Sequence, residues 1–573
     1  MKKIFFIIPL LALLMSACSN DVKNPESNPT IPDEMIRSYL NVALYAPFSS
    51  TRASDYIDGM PSENQVNTVR FFFFKANGEA CMVFKQAASG SYLSYIDWTP
   101  YDSEISDPED SNTTVEKIAT ATLGLNQPVD EGLPELILAV VNPTSDILDL
   151  INPDLNEIKS LANDYFTDLH DNNFLITNSV YIDKTGAEII ATPISNDNFG
   201  DPSIEGSVEN MQTLNIFVER VLARLDFSLM LNEETNPSIT LNDESIIYQV
   251  SQPSLNGDQD SQVYVRLLGW NLTATSDFSR AVKMVNPSWN EEIFGGVNNS
   301  WYNSQYHRSF WAINPQNLTY SYGDFTDAQT QSLPTSSPVT VYLQENAADY
   351  TSSLSAEGPE TPTSLIIGAQ LVNSTGEPLL LARWANRYYI QENLLEAVAS
   401  VLNLFQQTTE NGVTTFTQIT SDYLQFVSPS NVTLPTGETA ASYYTYVQLN
   451  DDGLDIEWYN GESLGATLLS SEAVNSYILN RVNYVLVWTK GYTYYYFDIR
   501  HLGTENNSGY YGIVRNHLYQ ANLSSISGVG TPVFEPGKVI YPTKPDPDDN
   551  ILDIQVNILQ WRIVKENYEI TWP

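Results

Sequence analysis

The chain has 573 residues and a formal net charge of −42, because 69 Asp and Glu face only 27 Lys and Arg. This balance excludes binding to nucleic acid or to anionic membranes through charge alone, since such binding needs clustered basic residues. Aromatic residues make up 12% of the chain and charged residues 17%, which favours a mainly β protein with more than one domain.

The N-terminus is typical of an export signal. Two lysines precede an apolar run from Ile4 to Met15, which is followed by Ser-Ala and Cys18. The run is too short to span a bilayer, and a Cys after small residues resembles a bacterial lipobox. We expect residues 1–17 to be a lipoprotein signal peptide and the lipid on Cys18 to be the precursor's only membrane attachment. A plain signal peptide with a chance Cys is the alternative.

The first predicted strand lies in "SYLNVALYAP". Its apolar residues Leu40, Val42 and Leu44 fall on one face, and the alternate residues, including Ala43, fall on the other. We expect a half-buried strand at the edge of its domain. A Ser/Thr-rich link containing Arg52 separates this strand from the next run, "NTVRFFFFKANGEACMVF", which predicts two strands joined by a turn at Asn-Gly.

The middle of the chain alternates between strand and helix signals. Strands are expected over "LPELILAVVNP", "FLITNSVYIDKTG", "VYVRLLGWNLTAT", "VTVYLQENAAD", "TSLIIGAQLV" and "VNYVLVWTKGYTYYYFDIRH". Helical spacing appears in "SDILDLINPDLNEIKSLANDYF", where Pro153 is expected to interrupt it. It appears again in "QENLLEAVASVLNLF", where Leu394, Val398, Val401 and Phe405 form an apolar stripe that is expected to pack in the core. The run "LNIFVERVLARLDFSL" is expected to carry the chain from an N-terminal domain, 53–216, into a C-terminal domain, 217–573. Cys81 lies in an apolar run, where a buried, inert thiol is expected.

The chain ends on apolar, strand-forming sequence beyond a Pro/Asp-rich hinge at 541–550. Exposed strands of this kind aggregate unless a partner receives them. The apolar residues alternate in two segments, 551–560 and 563–572: Leu552, Ile554, Val556 and Ile558 in the first, and Tyr568, Ile570 and Trp572 in the second.

These features suggest one mechanism. If the chain is cut after Arg52 and the first strand leaves, it exposes apolar side chains and unpaired backbone groups that another strand would satisfy. The C-terminal strand of a second copy fits, and such head-to-tail contacts propagate into a filament. Three or four large apolar side chains would contribute about 5–10 kcal/mol to the joint.

Several segments carry a family resemblance. They include "SSTRA", "LAVVNP", "FLITNSVYI", "IFVERVLARLDF", "LARWANRYYI", "ILDIQVNILQW" and, most specifically, "GYYGIVRNHLYQANLSSISGVGTP". Together they resemble the FimA/Mfa-type fimbrillins, the type V pilus subunits of Bacteroidota, and are most similar to the Mfa-type branch.

The resemblance implies two tandem transthyretin-like β-sandwich domains with a few helices in connecting segments. It also implies a stalk or tip subunit of a cell-surface fimbria, whose precursor is lipid-anchored at the outer membrane. An arginine-specific or trypsin-like protease would cut the Arg52–Ala53 bond, remove residues 18–52 as a propeptide and permit strand exchange with other copies or related subunits. Arg37 is the competing cut site, but cutting there would leave the first strand attached.

Two questions stay open in the sequence. Residues 551–560 are expected either to complete the chain's own C-terminal domain, leaving 563–572 as the donated arm, or to act together with it; the distal segment is favoured because a donor must be free to leave. The alternative function is a monomeric surface lipoprotein adhesin that binds glycans or proteins of a host or bacterial surface.

Enzymatic and metal-binding roles have weaker support. "GESLG", around Ser463, matches the G-x-S-x-G nucleophile elbow but lacks a preceding buried parallel strand. Acidic segments such as 545–550 lack the spacing of a calcium loop. No catalytic residue, cofactor or metal is therefore expected.

Overall fold

A computed structural model describes the chain over most of its length. The described residues are 38–45, 60, 63, 65–86, 89–106, 118–165, 173–182, 187–250, 262–286, 312–316, 318–346, 362–385, 387–434, 443–501, 511–540, 552–559 and 564–565. Within them no helix is both long and apolar enough to cross a membrane.

Strands form most of the regular structure, which confirms the mainly β class. The first part of the chain contains β1 Ser38–Tyr45, β2 Val69–Phe74, β3 Phe84–Lys85, β4 Tyr92–Leu93, β5 Tyr95–Trp98, β6 Ile105–Ser106, β7 Ile118–Leu125, β8 Leu136–Val141, β9 Ala162–Asn163, β10 Ile176–Asn178, β11 Tyr181–Ile182, β12 Glu188–Ile189, β13 Thr192–Pro193, β14 Phe199–Gly200 and β15 Leu214–Arg220.

The second part continues from β16 to the last described strand. It contains β16 Ala223–Leu229, β17 Ser238–Thr240, β18 Ile246–Gln249, β19 Tyr264–Thr273, β20 Thr275–Ser276, β21 Ser279–Arg280, β22 Tyr320–Ser321, β23 Val339–Leu343, β24 Ser364–Val372, β25 Leu381–Trp384, β26 Arg387–Ile390, β27 Phe405–Glu410, β28 Val413–Gln418, β29 Leu424–Val427, β30 Tyr446–Leu449, β31 Trp458–Tyr459, β32 Leu468–Leu469, β33 Leu486–Trp488, β34 Tyr492–Asp498, β35 Leu518–Ile526, β36 Thr531–Pro532, β37 Leu552–Leu559 and β38 Val564–Lys565.

The described helices are short and lie between strands. They are α1 Ser145–Leu148, α2 Leu155–Ser160, α3 Gln391–Val401, α4 Asp451–Leu454 and α5 Ser471–Val482. The predicted interruption at Pro153 is confirmed, because α1 ends before it and Asp154 then caps α2. The Asp154 carboxylate accepts a hydrogen bond from the Glu157 N–H, and the Glu157 carboxylate accepts one from the Asp154 N–H, both at 2.8 Å.

The first part forms one large sheet in the order β5-β2-β8-β10-β15-β1-β7-β6. β15 connects its two halves: Leu214–Phe217 pair in parallel with β1, and Val218–Arg220 pair antiparallel with β10. Apolar side chains from both halves enclose a single core. The four consecutive phenylalanines of β2, residues 71–74, are fully buried in it.

The second part has a core enclosed by two sheets. One sheet has the order β23-β16-β35-β37-β38 and the other β17-β18-β19-β24-β34-β36. Phe227 on β16 and Trp270 on β19 meet across this core with ring centroids 4.9 Å apart. β16 pairs in parallel with β35, as β15 does with β1.

A third core, which was not predicted, is built from the segment of chain that connects β24 to β34. Helices α3 and α5 contribute Leu394, Val398 and Ile478 to it, and β31 contributes Trp458. The predicted apolar stripe is thus confirmed as core packing at Leu394 and Val398. Val401 is only half-buried, and Phe405 lies beyond the helix in β27.

Candidate strand-exchange site

The strand that the sequence marks as removable is β1, and the structure places it inside the sheet. All eight residues of β1 pair antiparallel with β7. On the other side, Val42–Tyr45 pair in parallel with β15, and Tyr39 and Leu40 pair with β14. The expectation of an edge strand is therefore wrong, because β1 has hydrogen-bonded neighbours on both sides. Its removal would leave a slot bounded by β7 on one side and by β14 and β15 on the other.

The side chains of β1 follow the predicted alternation on the core face. Leu40, Val42 and Leu44 are 0%, 1% and 3% exposed. Ala43 was expected on the outer face with polar neighbours, but it is also buried. Because the Ala43 side chain is small, most of the apolar area that β1 buries comes from Leu40, Val42 and Leu44. Asn41 on the outer face accepts a 2.6 Å hydrogen bond from the hydroxyl of Thr122 on β7.

The proposed cut site and its alternative lie outside the described residues. This holds for Arg52, Ala53 and Arg37, and also for the lipidation site Cys18. The structure does fix where the surrounding chain is anchored, since β1 ends at Tyr45 and the next described residue is Met60.

Glu63 anchors the chain on the far side of the proposed cut. It is fully buried, and its carboxylate accepts hydrogen bonds from the Tyr342 hydroxyl at 2.5 Å, the Met60 N–H at 2.7 Å and the Arg224 guanidinium at 3.2 Å. The Glu63 carbonyl accepts one from Arg220 Nε at 2.9 Å. Because Arg220 ends β15 and Arg224 lies in β16, Glu63 is held where the chain passes between the two large cores.

Arg224 forms ion pairs with two carboxylates, those of Glu63 and Asp226. The pair with Asp226 is bidentate, at 2.8 and 2.9 Å. Burial lowers the pKa of Arg224, but the hydrogen bonds and charge of Asp226 and the charge of Glu63 outweigh it and raise that pKa overall. Burial and then the hydrogen bond to Glu63 raise the pKa of Tyr342. Tyr342 therefore remains a neutral donor and Arg224 a fixed cation at any physiological pH.

The C-terminal candidates divide between described and undescribed residues. β37, which contains Leu552, Ile554, Val556 and Ile558, pairs antiparallel with β35 along its whole length. Residues 552–559 thus lie in the chain's own sheet, and which of the two C-terminal segments is donated stays a prediction. Two residues of β38 pair with the other side of β37. The distal candidates Tyr568, Ile570 and Trp572 lie outside the described residues.

A buried ion pair that was not predicted from the sequence lies just before β35 in the chain. Arg515 is fully buried and donates from Nε and Nη2 to Glu345 Oε2, at 2.9 and 2.7 Å. It also donates to the carbonyls of Ala281, at 3.1 Å, and Arg280, at 2.7 Å. The only sequence signal was a single Arg inside the apolar run "YYGIVRNHLY", but its partner is remote in the sequence.

Two further residues considered for chemistry have structural explanations. Ser463 is exposed in a turn between β31 and β32, which pair antiparallel. The G-x-S-x-G elbow interpretation is therefore wrong, since an elbow follows a buried parallel strand. Cys81 is buried as predicted, and burial raises its pKa to about 12, which disfavours the reactive thiolate. No cluster of three His, Cys, Asp or Glu side chains suited to a metal ion occurs among the described residues.

The C-terminal region that contains β37 matches a known family. Residues 487–567 match the model of "Major fimbrial subunit protein type IV, Fimbrillin, C-terminal", and these residues include β34 to β38. The chain carries a fimbrillin C-terminal domain. β35 and β37, which pair over eight residues, both lie within the matched residues.

Several solved structures are weakly similar to this chain over more than its C-terminal domain. A fimbrilin (FimA) from Porphyromonas gingivalis W83 has 12% identity and a TM-score of 0.36, over 92% of this chain and 98% of that one. The tip fimbrial protein Mfa3 from P. gingivalis has 10% identity and a TM-score of 0.31, over 91% and 98%. A fimbrial assembly protein from Parabacteroides distasonis has 9% identity and a TM-score of 0.27, over 59% and 86%. All three TM-scores lie below 0.5. No curated protein sequence matches the chain.

Proposed function

We propose that the protein is a stalk or tip subunit of a cell-surface fimbria that polymerises by strand exchange after cleavage at Arg52–Ala53. The proposal combines the fimbrillin C-terminal domain with the position of β1. A strand with neighbours on both sides leaves two rows of unpaired N–H and C=O groups when it departs. Only another extended strand can pair with both rows at once.

Loss of β1 has a large free-energy cost that a donor would recover. Leu40, Val42 and Leu44 are almost fully buried, and each such side chain contributes about 1.5–3 kcal/mol. Each ladder hydrogen bond adds about 0.5–1.5 kcal/mol. An uncut β1 therefore stays in place. Cleavage changes this balance because it turns a tethered strand, held at an effective concentration of about 1 mM or more, into a diffusible peptide.

The C-terminal region 551–573 is the proposed donor. β37 and β1 are both eight residues long, and "LDIQVNIL" alternates apolar and polar residues as "SYLNVALY" does. Among the described strands, only β35 pairs with β37 along its whole length, whereas in the slot β37 would lie between β7 and β15. The distal segment 563–572, favoured from the sequence, would instead insert while β37 stays seated in the donor.

The cut site is tested by comparing two matched variants of the precursor that begins at Ser19. Arg52→Gln is expected to abolish the fragment that starts at Ala53 and the oligomer ladder on unheated gels after limited trypsin treatment. Arg37→Gln is expected to behave as the unmodified protein. N-terminal sequencing and gel analysis measure both results. Equal polymerisation of Arg52→Gln would contradict the proposal, and a protein that is cut at Arg52 but stays monomeric would favour a monomeric adhesin.

The donor is tested by two deletions. Removing residues 551–573 is expected to abolish polymers while leaving the first core folded, as measured by gel ladders and circular dichroism. Removing only 563–573 separates the two donor arrangements: polymers are lost if the distal segment inserts and retained if β37 does. Polymers that persist without 551–573 would show that the donor lies elsewhere.

A further inference from the structure

The core face of β1 has one polar position. Alternation along the strand places Ser38 on the same face as Leu40, Val42 and Leu44. Ser38 lies directly opposite Leu125 of β7, and directly opposed residues of an antiparallel pair have their side chains on the same face of the sheet. Because Leu125 is fully buried in the first core, the Ser38 side chain faces an apolar environment.

The Ser38 hydroxyl has nothing to compensate its burial. Ser38 is only 5% exposed, and its Oγ is closed off from solvent without a hydrogen-bond partner in the part of the chain that the structure describes. Buried hydroxyls in folded proteins are nearly always hydrogen-bonded, because an unsatisfied one loses its hydrogen bonds to water and gains none in return. Ser38 therefore weakens the pairing of β1 with its own sheet.

Neither donor candidate has this defect in its alternating series. The apolar residues at alternate positions are Leu552, Ile554, Val556 and Ile558 in the first segment and Tyr568, Ile570 and Trp572 in the second. Neither series contains a Ser or a Thr. An aliphatic side chain from the first series at the position of Ser38 would be buried in the core without leaving a hydroxyl unsatisfied. The slot therefore suits such a strand better than it suits β1 at this position.

We propose that the buried Ser38 hydroxyl makes β1 replaceable, so that an apolar donor strand takes its place after cleavage. This inference rests on the proposed strand exchange and names the residue that gives the exchange its direction. The free-energy penalty of the hydroxyl exists only while β1 is seated, because water hydrates the hydroxyl once the strand has left. It therefore favours departure of β1 and leaves the rest of the first core unaffected.

Amide hydrogen exchange of the uncut chain from Ser19, followed by mass spectrometry, tests this weakness without cleavage or polymerisation. Ser38→Ala removes the hydroxyl, and it is expected to slow hydrogen exchange of the β1 amides about tenfold, because opening of the strand no longer relieves an unsatisfied group. The matched control is Ser94→Ala. Ser94 is also fully buried with an unpartnered Oγ, but it adjoins β5, and four strands separate β5 from β1 in the sheet. This control is expected to leave hydrogen exchange of β1 unchanged.

A second variant of β1 calibrates the measurement. Val42→Thr adds a buried hydroxyl to the same face in a side chain of the same shape, and it is expected to speed hydrogen exchange of the β1 amides about tenfold. If Val42→Thr speeds hydrogen exchange and Ser38→Ala does not slow it, the Ser38 hydroxyl carries no penalty and the proposal is wrong. Equal slowing by Ser38→Ala and Ser94→Ala would also overturn it, because β1 would then open only together with the whole sheet.

Polymerisation after limited trypsin treatment tests the consequence separately. Cut Ser38→Ala is expected to form the oligomer ladder on unheated gels about tenfold more slowly than the unmodified protein, because β1 has to leave before a donor inserts, and cut Ser94→Ala is expected to match the unmodified protein. Slower hydrogen exchange with an unchanged polymerisation rate would overturn the role of Ser38 alone. An unmodified cut protein that never polymerises would overturn the proposed function, and this inference with it, whatever the hydrogen exchange shows.

Discussion

Replacing Arg515 with methionine is expected to lower the free energy of unfolding by about 3–5 kcal/mol, the usual cost of breaking a buried ion pair from one side. The variant leaves Glu345, which is almost fully buried, without its main partner. It also leaves the carbonyls of Ala281 and Arg280 without their Arg515 donor. Urea unfolding followed by tryptophan fluorescence measures the loss.

Two comparisons make this result specific. Arg387→Met removes an exposed arginine, and it is expected to change the free energy of unfolding by less than about 0.5 kcal/mol. The double variant Arg515→Met/Glu345→Leu removes both charges, and it is expected to recover much of the loss because no unpaired buried charge remains. A loss below about 1 kcal/mol in Arg515→Met would show that water compensates Glu345 and that the pair does not hold this junction.

A disulfide between Asn41→Cys and Thr122→Cys is expected to prevent polymerisation even after cleavage at Arg52. The two residues are direct cross-strand partners of β1 and β7, and their side chains already meet through a 2.6 Å hydrogen bond. Directly opposed residues have Cβ atoms about 4.5–5.5 Å apart, slightly beyond the disulfide range, so small backbone adjustments suffice. The oxidised, cut protein should retain β1 and remain monomeric on unheated gels.

Reduction supplies the control within the same sample. Adding a thiol reductant to the cut, cross-linked variant is expected to release β1 and start polymerisation, and the single variant Asn41→Cys is expected to polymerise without reductant. In a chain that begins at Ser19, the native Cys81 is buried with a raised pKa and should not interfere. Polymers that form while the disulfide is intact would show that β1 does not need to leave its slot.

The sequence predicts local structure well where side-chain alternation decides it. The alternation of Leu40, Val42 and Leu44 predicts both the strand and its buried face, and the spacing of Leu394 and Val398 predicts the buried face of α3. These features depend on neighbours within one element. The sheets change between β15 and β16, and the domain boundary after residue 216 stays a prediction, since Val218–Arg220 still pair with β10.

Long-range pairing is what the sequence leaves undetermined. The neighbours of β1 are β7 and β15, which follow much later in the chain, so nothing near Leu40 distinguishes an internal strand from an edge strand. The same limit applies to Glu63 and Arg515, whose partners, Tyr342 and Glu345, are remote in sequence. A charged residue in an apolar run shows that a partner exists but not which residue it is.

The continuous path from β15 into β16 has a mechanical consequence for a filament. Only two residues separate the wall of the slot from β16, β16 pairs with β35 over six residues, and β35 pairs with β37 over eight. If the distal segment 563–572 is the donated strand and β37 stays in its own sheet, tension arriving through an inserted strand would cross each subunit as shear between these long ladders. Many hydrogen bonds would have to break together, and the rate of forced unfolding, rather than equilibrium stability, would set the load that the fibre withstands.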